Sequence, residues 1–402
     1  MMLKHVVGCG VAICLAASSA DAAVINLIDK GGMAGSTAER GFRAAAHYLS
    51  SVLTNDVTIN LGVIYQPNGG FPLGQADNAY RDYALRDWER QVALTRSNST
   101  LDRAAILPTL NAQSGTSFIT NGLAESGYAD TNVLTLETGN SRYSQQLYGQ
   151  TSLLKAIGAI DANDPMIDGD IIFSSDPQVA FDFDPTDGID PGAIDFLNVA
   201  LHEIGHALGF VSGIDFLDFY AEPSDGPFGF DMQDLAIFTP LDMFRYSRDP
   251  AHLVAGDQPV LDLSVDTKSY FSIDGGKTAV FENGFSTGTY HGDGTTGSHW
   301  RISPAEDGEC NRTMGTMAGA CLGTMGAVTA LDLAAFDAIG WNLTFDVLKN
   351  GGYRATTADI YRQSLSAVPE PTTWAMTIAG FALLGSALRG GRRTRMKVAF
   401  AG

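Results

Sequence analysis

Asp195-Phe196-Leu197-Asn198-Val199-Ala200-Leu201-His202-Glu203-Ile204-Gly205-His206-Ala207-Leu208-Gly209-Phe210 is the stretch on which the reading of this chain turns. Asp195 carries the short acceptor side chain that caps a helix, and Gly209 is a natural stop, so the spacing predicts a helix over 196–208. At 100° per residue Leu197, Leu201, Ile204 and Leu208 form one stripe, and Val199, His202, Glu203 and His206 form the opposite one. The helix should therefore pack by its aliphatic side and present both histidines with the glutamate. Two imidazoles one turn apart suit two neighbouring positions of a tetrahedral zinc ion, and neutral ring nitrogens bind such a borderline metal well. Glu203 cannot easily reach the same metal position and is placed to take a proton from a water activated there. The plain alternative is an ordinary helix with two surface histidines; the capped, amphipathic setting and the export signal described below weigh against it.

Upstream of this helix, strand and helix alternate. Val24 to Ile28 and Val57 to Tyr65 are rich in β-branched residues, and Val133 to Leu136 and Asp170 to Phe173 are further short strands. Ala38 to Leu53 and Ala79 to Leu94 have helical spacing of apolar positions. The result expected is a mixed twisted sheet with helices against it, an α+β fold. Downstream, the chain is Gly-rich and poorly periodic as far as 329–340, where Thr329 can cap with Asp332 and Gly340 ends the run. Long irregular stretches of this kind in a compact domain are usually functional. The segment from Asn350 to Ala367 shows little apolar periodicity and reads as a linker.

Both ends read as addresses. Met1 to His5 is cationic, Val6 to Ser18 is apolar, and Ala20-Asp21-Ala22 supplies a cleavage site, so residues 1–23 read as a signal peptide and the protein as exported. Cys9 and Cys14 would leave with it, and Cys310 and Cys321 are then expected to form one disulfide. At the other end Val368-Pro369-Glu370-Pro371 precedes an apolar run, Thr372 to Leu388, and a basic tail. Seventeen residues are just enough for a membrane span, and the cations would hold the tail on the cytoplasmic side. Without residues 1–23 and 368–402 the body keeps 19 basic and 43 acidic residues. Such a charge repels phosphate backbones and excludes nucleic acid as a partner.

His202-Glu203-Ile204-Gly205-His206-Ala207-Leu208-Gly209-Phe210 resembles the metzincin metalloproteases, whose pattern continues to a third histidine three residues after the glycine. Ser212 stands at that position here. The leishmanolysin-like branch instead carries an insertion before a distant third histidine, and Gly297-Ser298-His299-Trp300 looks like that ligand segment. Met317, in Gly315-Thr316-Met317, is similar to the methionine turn beneath the metal, with Met314 and Met325 as competitors. The arrangement also looks like a group of metalloproteases with a Thr239-Pro240-Leu241-Asp242-Met243-Phe244-Arg245-Tyr246 block and a PEP C-terminal sorting signal. That signal implies an exosortase as partner, transient anchoring in the inner membrane, and a final place at the cell surface or outside it. The resemblance implies a two-lobed catalytic domain: an N-terminal lobe, 24–210, and a loop-rich C-terminal lobe, 211–349, with one closing helix. It also implies zinc on His202, His206 and His299, with a protein or peptide as substrate.

Other residues compete for roles. Asp215 is the nearest carboxylate that could return to the metal after Gly209, with Glu222 and Glu282 further on and His291 a lesser candidate; His47 and His252 read as structural or solvated. Asp182, Asp184, Asp187 and Asp190 with Gly188 make calcium a candidate partner, but they miss the EF-hand register and read better as a solvated turn. The function expected is hydrolysis of peptide bonds with Glu203 as general base. The rivals are a catalytically idle, zinc-stabilised surface or matrix-binding protein, and a metal hydrolase acting on a non-peptide substrate.

Overall fold

The computed structural model describes residues 23–70, 72–124, 129–221, 232–248, 251–254, 258–301 and 315–366. Residues 1–22 of the expected signal peptide, Cys310, Met314, Glu222 and the expected sorting signal lie outside them. The front half runs β1 (Val24–Gly31), α1 (Glu39–Val52), β2 (Thr58–Gln66), β3 (Gly74–Asn78), β4 (Tyr80–Ala84), α2 (Leu85–Thr95), α3 (Thr100–Ala104), β5 (Phe118–Leu123), β6 (Ala129–Glu137), α4 (Arg142–Gln145), β7 (Gln146–Gln150), α5 (Thr151–Ala156) and β8 (Gly169–Ser174). Two short strands, β9 (Phe181–Asp182) and β10 (Ile194–Asp195), lead into α6 (Phe196–Ala207). The rear half holds α7 (Ile214–Phe219), β11 (Arg245–Arg248), β12 (Pro259–Leu261), β13 (Tyr270–Phe271), β14 (Ala327–Thr329), α8 (Ala330–Ile339), β15 (Arg354–Thr356) and α9 (Thr357–Ser366).

The fold is α+β, with several small sheets around a main one of order β1-β2-β8-β3. β1, β2 and β8 run parallel, and β3 closes one edge antiparallel to β8. Ile59, Leu61 and Val63 on β2 and Ile171 and Phe173 on β8 are buried, as expected of strands covered by helices. Phe42 of α1 meets Phe173 of β8 and Phe196 of α6 edge-on, with ring centroids 4.8 and 4.9 Å apart. This aromatic joint seats the first turn of α6 against the sheet, and the polar face of α6 then lies beside β3. The hydrophobic core is continuous, running from β1 and α1 through α6 to α8 and α9.

Three expectations need correction. Ala79 to Leu94 is a helix only from Leu85; Tyr80–Ala84 is a strand because it pairs with β7, Tyr80 opposite Gln150 and Ala84 opposite Gln146. The stretch 211–349 has more than one helix, since α7 precedes α8 there. The stretch read as a linker carries β15 and α9. β15 pairs with β14, α9 packs on α1, and Ala358, Ile360 and Tyr361 are buried. Only Ala367 of that stretch lies outside the described residues. Among the described residues no helix is long and apolar enough to cross a membrane.

Candidate metal centre

The Asp195 carboxylate accepts the backbone N–H of Asn198 and so caps α6 as predicted. At the far end Gly209 takes φ of +112°, a left-handed conformation that releases the chain from the helix. Between these ends His202, Glu203 and His206 share one face, lining a cleft of about 470 Å³ whose opposite wall is β3. Gly74 of β3 lies so close to the helix that a Cβ there would stand 2.8 Å from Glu203 Oε1.

His299 enters the same cleft from 93 positions beyond His206. Its Nε2 lies 3.0 Å from His202 Nε2, which is 2.9 Å from His206 Nε2. The other ring nitrogens decide what these contacts are. His202 Nδ1 is 2.8 Å from the Thr316 carbonyl oxygen and His206 Nδ1 is 2.6 Å from that of Phe210. A carbonyl only accepts, so both Nδ1 atoms carry the proton and both Nε2 atoms present a lone pair. His299 Nδ1 faces the Thr296 hydroxyl at 2.5 Å and its carbonyl at 3.3 Å, which turns its Nε2 toward the other two rings.

Lone pairs directed at one another at this distance repel unless a cation lies between them. Their spacing approaches the roughly 3.3 Å between two nitrogens bound at about 2.0–2.1 Å to one tetrahedral ion. Burial pushes the His202 imidazole down to about 4 and the His299 imidazole down to about 3, and lowers His206 well below its ordinary value. All three rings are thus neutral at physiological pH, the form that ligates. The trio can hold a metal ion, and among the described residues it is the one cluster of three or more converging ligand groups. The Glu203 carboxylate, accepting no hydrogen bond from a described residue, is pushed up by burial to about 8.

The floor beneath the trio is built from two further segments. Met317 is fully buried against Gly205, where a Cβ would meet its sulfur at 2.5 Å, whereas Met325 is half-buried. The Asp332 carboxylate accepts from Thr316 N, Met317 N, Thr329 N and Trp300 Nε1, which joins α8 to the residue after His299. No protein-family model, curated protein or solved structure matches this chain.

The remaining candidates fall elsewhere. Asp215 is not a ligand: it accepts the backbone N–H groups of Gly297 and Ser298. Ser212 donates its hydroxyl to Asp242 at 2.5 Å, and His291 lies 3.1 Å from Asp218 on the wall of an adjoining cavity. Glu282 is not part of the trio. Asp182 and Asp184 fold back on backbone N–H groups, Asp182 accepting from residues 184 and 190 and Asp184 from Thr186, so they form a loop-closing turn rather than a converging ligand set. Cys321 is disulfide-bonded. The partners Thr316 and Phe210, which fix the ring tautomers, have no sequence signature, because a carbonyl acceptor can come from any residue type.

Proposed function

We propose that this chain is an exported zinc endopeptidase of metzincin-like, two-lobed design, with His202, His206 and His299 as ligands and Glu203 as general base. The observation that carries the reading is the convergence of three imidazole Nε2 atoms beside a carboxylate that accepts no hydrogen bond from a described residue, along the edge of a sheet. Three imidazoles suit zinc, and three protein ligands with an open cleft fit a catalytic site better than the closed four-ligand set of a structural one. That distinction weighs against the idle, zinc-stabilised alternative.

When bound, zinc supplies Lewis acidity that favours ionisation of water and polarises a carbonyl. A cation held by the trio would lower the Glu203 carboxyl from the value burial alone gives it, so that Glu203 is ionised, takes the proton of the attacking water and delivers it to the leaving amine. Peptide is favoured over other substrates by β3. One side of this strand pairs with β8 and the other borders the cleft, where an extended chain can add as a further strand. A second cavity of about 870 Å³ shares Val211 and Thr296 with the cleft and offers room for a substrate side chain.

Purified protein should degrade unfolded casein, lose this activity to a chelator and regain it with zinc. Glu203→Gln should keep zinc while losing at least about 100-fold in turnover, since the amide cannot accept the proton. Chelator-resistant cleavage, or near-parental turnover by the Gln variant, would contradict the reading.

A further inference from the structure

His299 is not held near α6 by the chain itself. The entropic cost of closing a loop grows with its length, and 93 positions separate His299 from His206. Its place must therefore come from tertiary bonds, and these are concentrated on one carboxylate. Asp215 lies on α7, immediately after α6 leaves the site. Its Oδ1 accepts Gly297 N–H at 2.5 Å, and its Oδ2 accepts Ser298 N–H at 3.2 Å and Ser298 O–H at 2.5 Å. Ser298 Oγ in turn accepts Ser212 N–H at 2.9 Å. The two residues before His299 are thereby bonded to the segment directly after the helix that carries the other two ligands.

The Thr239 to Tyr246 block completes this arrangement. Asp242 is buried and accepts Ser212 O–H at 2.5 Å, Gly213 N–H at 2.8 Å and Thr239 N–H at 2.8 Å, which fixes the turn leading into α7. Arg245, equally buried, donates to the Ser286 carbonyl at 2.6 Å and to the Gly297 carbonyl at 3.4 Å. Ser286 N–H donates at 2.9 Å to the carbonyl of His299 itself. Burial lowers the guanidinium to about 10, and the negative charges of Asp242, Asp262 and Asp215 oppose that shift.

We propose that Asp215 is the positioning residue for His299, and that Asp242 and Arg245 form the buried hydrogen-bonding frame that fixes the turn into α7 and the 297–299 backbone. Asp215 is not one of the three converging ligand groups. It acts by fixing the backbone from which the third ligand projects. This inference rests on the proposed metal reading of the histidine trio.

The test is zinc affinity, measured by competition with a chromophoric chelator on the intact secreted chain, for Asp215→Ala, His299→Ala and the double variant. Partners one step removed from the metal ordinarily contribute about 10–100-fold in affinity, and Asp215→Ala should lose an amount in that range. The double variant should bind zinc no more weakly than His299→Ala alone, because Asp215 acts through that ligand. A general loss of stability would instead persist in the double variant. Asp215→Asn retains one acceptor oxygen and should lose less, with the same non-additivity, so it carries the test if the Ala variant does not fold. Parental affinity in a folded Asp215 variant, or losses that multiply in the double variant, would overturn the assignment. A parent that binds no zinc would overturn the metal reading and this inference with it.

Discussion

Single residues in this chain carry unequal information. That His202, Glu203 and His206 share one face is legible because it follows from spacing on one helix, and the cap Asp195 because a cap is local. Asp215 is legible only as an acid near the site. Its bonds reach residues 82 and 83 positions away, and nothing local distinguishes a ligand from a residue that holds one. Asp337 on α8 is a case in which only the folded structure exposes the chemistry. It is 1% exposed, Ser99 donates to its Oδ2 at 3.0 Å, and its Oδ1 has no partner. Burial, reinforced by Asp102, pushes its carboxyl up to about 8. The native state thus keeps this proton up to about pH 8, whereas the unfolded chain releases it near pH 4. The contribution of Asp337 to stability is fully present below that lower value and is lost as pH rises through the window. Asp337→Asn should remove this slope. The unfolding free energy of the variant minus that of the parent should rise by roughly 4 kcal/mol between pH 4.5 and 8, as read from urea midpoints. A difference independent of pH would show that Asp337 does not titrate in that range.

At the scale of elements, periodicity is reliable where an apolar stripe is long and fails where pairing decides. The α6 stripe runs the length of the helix and was legible at both ends. The capping box of Thr329 and Asp332 at α8 was also legible, although its second role beneath Met317 was not. Tyr80–Ala84 was read as helix because its strand identity comes from β7, more than sixty positions later. α9 was missed because it buries only four residues, Thr357, Ala358, Ile360 and Tyr361, on one narrow face. Yet Thr357 donates its hydroxyl at 2.6 Å to Asp195 Oδ2, so the last described helix touches the cap of the helix bearing His202 and His206. Thr357→Val keeps the side-chain shape while removing that bond, and should cost about 1–2 kcal/mol in the denaturant midpoint. Unchanged stability would return the segment to the status of a linker.

Over the whole molecule, the α+β class was legible from alternating strands and helices in the front half. The continuity of the core was not, because the chain's last elements return to pack on α1. The proposed third ligand belongs to this scale. His299 was placed by resemblance of its segment, not by spacing, and what brings it to the cleft is a set of long-range bonds converging from α7, from Arg245 and from Asp332. The central claim, that these distant parts assemble one zinc site, is tested most directly by a crystal structure of the zinc-loaded chain with anomalous scattering recorded at the zinc edge. The account predicts one peak in the cleft, at about 2.0–2.1 Å from the Nε2 atoms of His202, His206 and His299, with Glu203 beside it but not coordinating. A peak at another site, or zinc held in the cleft without His299, would contradict it.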